Sequence, residues 1–502
     1  MDTGCAGKCR KSGATGREAV TALRGRIFAA ALCLLLAGCA VSADYRPPRP
    51  DLPPRWSMGE EAGAPLVTAE TPWWTAFGDP LLNALIDRAL RANPDVRLAE
   101  ARVLEARARR GAATGSLAPS LDARGSFTRE RESRNAPNPV LVRPGGEVEP
   151  PGTENLFQAG FDASWELDLF GGKRRAVEAV QADLESALYE RGGVVLTLVA
   201  EVSRNYFELR GIQRQSRLAA TSVAVQRDSL ALLRARFAAG MATDLEVVRA
   251  EAEVERRASL LPSLDFSYRK ALHRLGVLLG EAPGAFAGEL QPESIIPVPS
   301  GMPPVGAPSD ILRQRPDLRR AERQLAAASA RVGVAKADLY PRFVVSGSLA
   351  LASEEFGDFS DRGSVLWSIG PSIIWPIFQR GRIVARIEVR DAQEQQALIA
   401  YRRVILDALE DMENALAGYR DEADRRAALI KAVDADRRNV VFARGRYQGG
   451  LTDFREVLVA ESNLLQAQGE LAQSETNLLL ALVALYKALG GGWSVPAGEG
   501  GE

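Results

Sequence analysis

Between Phe157 and Leu167 every odd position is apolar: Phe157, Ala159, Phe161, Ala163, Trp165 and Leu167. The even positions are Gln158, Gly160, Asp162, Ser164, Glu166 and then Asp168. A period of two predicts a strand with two unlike faces, here over 157–169. Past Phe170-Gly171-Gly172 the rhythm changes. Apolar residues recur every seven positions at Leu188, Val195, Val202, Leu209, Val223, Leu230 and Phe237, broken only by Ser216. A second set lies four residues before, at Leu184, Leu198, Ile212, Ala219 and Leu233. This is a coiled-coil seam, predicting a helix over 173–239 that would be roughly 100 Å long at 1.5 Å per residue. Gly192-Gly193 should weaken it locally, by about 1 kcal/mol per glycine.

The same pattern returns later in the chain. Asn93-Pro94-Asp95 recurs as Arg315-Pro316-Asp317, and Ala118-Pro119-Ser120-Leu121 as Tyr340-Pro341-Arg342-Phe343, both offset by 222. "RFAAGMATDLEVVRAEAEV" from Arg236 recurs as "RYQGGLTDFREVLVAESNL" from Arg446, and "ALHRLGVLLG" from Ala271 as "ALVALYKALG" from Ala481, both offset by 210. The heptads repeat in register at Leu398, Ile405, Met412, Tyr419, Val433, Val440 and Tyr447. The chain therefore reads as two similar halves. The first, 73–290, holds a helix started by Asn93 as N-cap with Pro94 at its first position, strands at 117–128 and 157–169, and helices at 173–239 and 244–280. The second, 312–492, holds a helix at 316–338, strands at 342–352 and 365–378, and helices at 381–448 and 453–489. A proline-rich linker, 281–311, in which regular helix is not expected, joins them. In the fourth strand Val365, Trp367, Ile369, Ile373, Trp375 and Ile377 share a face, and Pro371 and Pro376 are expected at bulges. Trp73, Trp74 and Phe77 are expected to pack in a core.

Composition narrows the chemistry. With net charge −1 over 502 residues there is no basic field for nucleic acid. The only histidine is His273, on an apolar helical stretch, and no cysteine follows Cys39, so histidine-based catalysis and thiolate metal sites are nearly excluded. No cofactor is expected. No stretch after the N-terminal run reaches the ~18 apolar residues of a spanning helix. A chain of this kind crosses a membrane only as a closed β-barrel, with Phe161 and Trp165 toward lipid and Asp162, Glu166 and Asp168 toward a watery lumen. Long polar loops after the first and third strands fit that reading. Trp165, Trp367 and Trp375 are candidates for the interfacial belt. Four strands cannot close such a barrel, so several copies are required.

Arg24 and Arg26 precede an apolar run from Ile27 to Cys39, which reads as an export signal over 1–38. Leu36-Ala37-Gly38-Cys39 resembles the lipobox of bacterial lipoproteins, which implies acylation of Cys39. Residues 39–72, with "YRPPRPDLPPRW", read as an extended tether, and 493–502 as a tail. Gly240 and Gly450 suit helix C-termini, and Thr243 with Glu246 and Asp453 with Glu456 have capping-box spacing.

Taken with the lipobox, "WWTAFGDPLLNALIDRAL", "RQRPDLRRAERQLAAASARVGVAKADLYPRF" and the two glycine turns, nearly the whole mature chain resembles the TolC-like outer-membrane factors, most of all the NodT/OprM branch of RND efflux outer-membrane lipoproteins. The resemblance implies a mainly α fold with transmembrane β: four β-strands plus long coiled-coil helices per protomer. It implies a homotrimer whose twelve strands form one barrel continuous with a twelve-helix tunnel. It also implies a passive efflux conduit in the outer membrane, with a periplasmic adaptor and an inner-membrane RND pump as partners. It puts Gly240, Thr243, Glu246, Tyr447, Gly450, Asp453, Arg455 and Glu456 at a periplasmic tip that serves as gate and adaptor contact. Glu456 falls on a carboxylate ring of the family, whereas Val459 stands where a second would be. Alternatives within reach of the sequence are a type I protein-secretion channel and a structural periplasmic coiled-coil lipoprotein.

Overall fold

The computed structural model describes residues 44–57, 72–131, 133, 153–292, 301–302 and 305–493. The signal-like run, Cys39, most of the first inter-strand loop and the tail beyond Trp493 lie outside these residues. The chain divides into two compact units. One comprises Ala108–Gln181 and Ala326–Gln395 with the N-terminal residues through Arg46; the other comprises Pro47–Arg107, Ala182–Leu325 and Gln396–Glu502.

The first unit is built on a four-stranded antiparallel sheet in chain order: β1 (Ser120–Arg131), β2 (Thr153–Leu167), β3 (Arg342–Ser353) and β4 (Val365–Ile374). Helix α1 (Pro80–Ala92) is followed by α2 (Pro94–Gly115), which leads into β1. The first strand starts later than its alternation predicts, because Leu117 and Ala118 donate back to Thr114 and Gly115 and close the turn after α2. The fourth strand ends earlier, at Ile374. Pro376 has no N–H to pair, and Ile377–Gln379 form a 3₁₀ turn, so Trp375 and Ile377 lie outside the strand. Pro371 does not mark a bulge. It stays in register opposite Val345, on the last strand of the sheet.

Four residues after β2, helix α3 (Gly172–Ala238) begins, and it is continuous for 67 residues. Gly171 takes φ 80°, a left-handed turn that a β-carbon would strain, and a β-carbon on Gly172 would sit 3.0 Å from Ala337. Asp168 lies just beyond β2. Its carboxylate accepts from the backbone N–H groups of Lys173 (3.0 Å) and Arg174 (2.9 Å), satisfying donors that the first turn leaves open.

In the second unit α1 is capped by Asp79, whose Oδ1 accepts from Leu81 and Leu82. Its Oδ2 accepts from the buried Tyr206 hydroxyl at 2.6 Å. Burial, reinforced by that carboxylate, pushes the Tyr206 phenol well above its ordinary range. Trp73 and Phe77 pack in this core as expected, Trp73 stacking on Tyr486 at 5.1 Å. Asn93 caps α2 through Asp95 and Val96.

The predicted 244–280 helix is two helices, α4 (Asp244–Ala258) and α5 (Leu260–Leu278). Pro262 cannot donate to the carbonyl of Ala258, and the chain breaks at Ser259. The linker holds one helical turn, α6 (Ala287–Leu290), then α7 (Pro308–Gln314), against the expectation of none. Helix α8 (Pro316–Ala337) leads to β3, α9 (Arg380–Gln448) follows β4, and α10 (Phe454–Leu489) runs unbroken. Ala472 stands where the first repeat has Pro262. The heptad seam is buried from Leu188 to Leu230 and from Ile405 to Val440 at most positions, but Phe237 is exposed. The N-terminal segment is extended yet not free: Trp56 is buried, its indole N–H donating to Gly306 (2.8 Å), and Ser57 binds both oxygens of Glu413.

Gly192 is a notch in α3 that receives a ring. A β-carbon there would lie 2.6 Å from the indole ring of Trp493, which is itself held by bonds from its N–H to Gly490 and Gln314. We expect Gly192→Leu to destabilise the protein by about 1–3 kcal/mol through overpacking. Thermal unfolding in detergent measures it, and removing the ring with Trp493→Ala should abolish most of the extra cost; an equal penalty in both backgrounds refutes the notch.

Candidate functional site

The register of the sheet aligns two unlike faces. One row reads Ala123, Phe161, Leu349 and Trp367, and its neighbours along the strands include Leu121, Trp165, Ile369 and Ile373. These large apolar side chains are exposed, Trp367 and Ile369 to more than 70%. A contiguous exposed apolar face of this extent is the mark of contact with a non-aqueous phase. The next row over reads Asp122, Asp162, Ser348 and Ser368. Two carboxylates directly opposite repel; Arg124 compensates, its Nε 3.1 Å from Asp162. Ser348 and Ser368 share a hydrogen bond of 2.8 Å. Glu166 lies on this same polar face, 3.7 Å from the Lys173 ammonium, which also donates to Ser116. Asp168, predicted to line this face, departs from it: the strand has ended and its oxygens are spent on the first turn of α3.

Two tryptophans mark one end of the sheet. The Trp165 indole N–H donates to Leu117 (3.0 Å) and that of Trp375 to Leu339 (3.2 Å). Donors are related by the 210 offset and acceptors by the 222 offset, so the repeat is kept in side-chain detail. Each ring is exposed with its polar edge satisfied, the arrangement favoured where apolar and aqueous phases meet.

The two glycine turns are alike in backbone. Gly240 (φ 75°) donates to Phe237 and Met241 to Arg236; Gly450 (φ 70°) donates to Tyr447 and Leu451 to Arg446. Both are Schellman closures, for which glycine is the residue without strain. Their outgoing caps differ. Thr243 and Glu246 form the full reciprocal box, Glu246 accepting from Thr243 N–H (2.7 Å) and Oγ (2.9 Å). Those hydrogen bonds, the backbone one foremost, hold the Glu246 carboxyl below its ordinary range. Asp453 accepts from Glu456 N–H, but Glu456 does not return the bond; its carboxylate lies 3.7 Å from Arg446. Arg455 reaches Asp453 only at 3.9 Å and is exposed, as is Val459. Tyr447 packs against Phe454 (5.2 Å) and lies under the Arg236 guanidinium (5.3 Å), joining the two hairpins. Phe454 packs on the small cores of both hairpins. Neither Phe454 nor Arg236 stood out in the sequence, although Phe454 occupies the place of Asp244 in the first repeat, and that departure was the available signal.

A sheet with one exposed apolar face and one polar face, continued by long heptad helices that end in paired glycine turns, is also the pattern of a protein family. The model described as "Outer membrane efflux protein" matches residues 85–281 and 307–491. The chain belongs to the outer membrane efflux protein family. It is 31% identical to "Nodulation protein T" of Rhizobium leguminosarum bv. trifolii, over 93% of this chain and 97% of that protein. It is 32% identical to "Pyoverdine export outer membrane protein OpmQ" of Pseudomonas aeruginosa, over 92% and 95%. The solved outer-membrane channel OprN superposes with a TM-score of 0.83 at 34% identity, over 91% of this chain and all of that one. The chain is therefore an outer-membrane efflux channel component that extends into the periplasm, with the TolC-like fold. The family is one of conduits rather than enzymes. Among the described residues no helix is long and apolar enough to cross a membrane, and no cluster of three metal-ligating side chains occurs.

Thr243→Ala should cost about 1 kcal/mol of local helix stability, seen as faster amide exchange in the first turn of α4. The pH dependence has a definite sign. The Glu246 carboxyl is lowered in the fold, so its contribution is full above the ordinary glutamate range and is lost as pH falls through the lowered value. Protection of that turn, taken relative to the intrinsic exchange rate at each pH, should therefore fall in acid in the native protein and lose that acid step in Glu246→Gln.

Proposed function

We propose that three copies of this chain close one barrel by pairing β1 of one protomer with β4 of the next, and that their helices enclose a single water-filled path. The observation that carries this is the sheet itself: it exposes an apolar face and, among the described residues, leaves β1 and β4 each without a partner on one side. In lipid, unpaired strand edges are not tolerated. The polar face with Asp162 and Glu166 then lines the lumen. Cys39 carries lipid that anchors the protein to the outer membrane. The hairpin ends, with Gly240, Thr243, Glu246, Tyr447, Gly450, Asp453, Arg455 and Glu456, form the periplasmic entrance and meet a periplasmic adaptor. An inner-membrane pump of the RND type supplies the energy, and transport through this component is passive. The efflux and export channels similar to it support this reading, among them the "Toluene efflux pump outer membrane protein TtgI" of Pseudomonas putida, 29% identical over 92% of this chain. A purely structural coiled-coil lipoprotein has no use for the apolar sheet face.

Single cysteines at Ser120 or Ser126 in β1, combined with one at Ser368 or Ser372 in β4, should yield disulfide-linked trimers in outer membranes for at least one pair. A scan that gives only monomers sinks the barrel. In planar bilayers, Glu246→Ala combined with Glu456→Ala should lower cation preference several-fold relative to the parent channel. Unchanged selectivity would leave those carboxylates with capping and ion pairing alone.

A further inference from the structure

Below the sheet, α3, α8 and α9 enclose a groove of about 550 Å³ within the first unit. Its floor is apolar, made by Ala179, Val180 and Val334, with the exposed Val389 at its edge. Its rim carries three guanidinium groups, Arg331, Arg386 and Arg390. The charge on this rim is only partly answered. Arg386 has no ion-pair or hydrogen-bond partner among the described residues, and Arg390 donates to the neutral amide of Gln393 at 2.8 Å. The carboxylate in the groove, Asp338, accepts from Arg342 at 2.6 Å.

The side on which the groove opens follows from its neighbour. A smaller cavity of about 210 Å³ lies at the strand–helix joint and shares Ala176, Val334 and Asp338 with the groove. That cavity is lined by Glu166, Lys173 and Arg342, and also by Leu167, Leu169 and Phe170. Glu166 is on the polar face of the sheet, and Arg342 stands two residues before its partner Val344, in the same phase. Through Glu166 and Arg342 the groove connects to the polar face of the sheet.

From this we infer that the groove is a solute-binding subsite in the wall of the conduit, selective for anionic amphiphiles: molecules with an apolar ring or short chain and one sulfonate or carboxylate head. The apolar floor takes the body, and Arg386 and Arg390 take the head, Arg386 without first giving up another partner. Placing the subsite in the lumen rests on the trimeric conduit proposed above.

The test uses the full-length protein in an uncharged maltoside detergent, titrated calorimetrically with naphthalene-1-sulfonate and with the matching naphthalene trimethylammonium cation. Saturable binding of the anion alone is expected, with affinity reduced at least ~10-fold in Arg386→Gln/Arg390→Gln, as for loss of a charge-assisted contact. Equal binding of both probes, or undiminished anion binding in the double variant, overturns the proposal. In planar bilayers the anion should block current from the aqueous side and wash out on perfusion; block that persists through perfusion indicates entry from the lipid and overturns it as well. Channel conductance without any saturable anion binding removes the subsite and keeps the conduit. Anion binding by a protein that never conducts keeps the subsite and removes the conduit.

Discussion

A backbone amide facing hydrocarbon without a partner costs several kcal/mol, and this constraint governs the molecule. The sheet exposes Phe161, Leu349, Trp367 and Ile369 on one side, so it belongs in lipid, yet β1 and β4 each keep one row of unpaired donors and acceptors. Among the described residues no element of the same chain is hydrogen-bonded along those edges. In the trimer proposed above that satisfaction comes from other copies, and with it an enclosure in which Asp162, Ser348 and Ser368 face water. The path for solutes is in this sense a by-product of hydrogen-bond accounting.

Much of the fold was legible because period and repeat agreed. Alternation in β2, heptads in α3 and α9, and the offsets of 210 and 222 each point to the same elements, and the Trp165 and Trp375 bonds show the duplication surviving in individual contacts. What escaped was set by single residues acting against the pattern. Pro262 splits one helix while Ala472 leaves its counterpart whole. Pro376 ends β4 though Ile377 keeps the alternation going. Gly192 reads as a weak point, and only the position of Trp493, far along the chain, reveals it as a fitted space.

The candidate site was legible in the same uneven way. Asp162 and Glu166 share the polar face because alternation is a property of the backbone, whereas Asp168 lies one residue past the strand, where that rule stops applying and the open donors of α3 capture it. At the hairpins, spacing located both caps but could not say that Glu246 completes its box while Glu456 turns toward Arg446. The cross-hairpin contact of Arg236 with Tyr447 joins segments of different repeats, and no local pattern encodes it.

The seating of Trp493 against Gly192 also orders events in time. Trp493 completes a helix made long before it, and its indole is held by carbonyls at Gln314 and Gly490 that frame the same spot. A chain released early by truncation would leave an apolar hollow open on that helix, the kind of surface that envelope proteases and chaperones recognise. Quality control of a nascent polypeptide can thus rest on whether one late tryptophan has arrived.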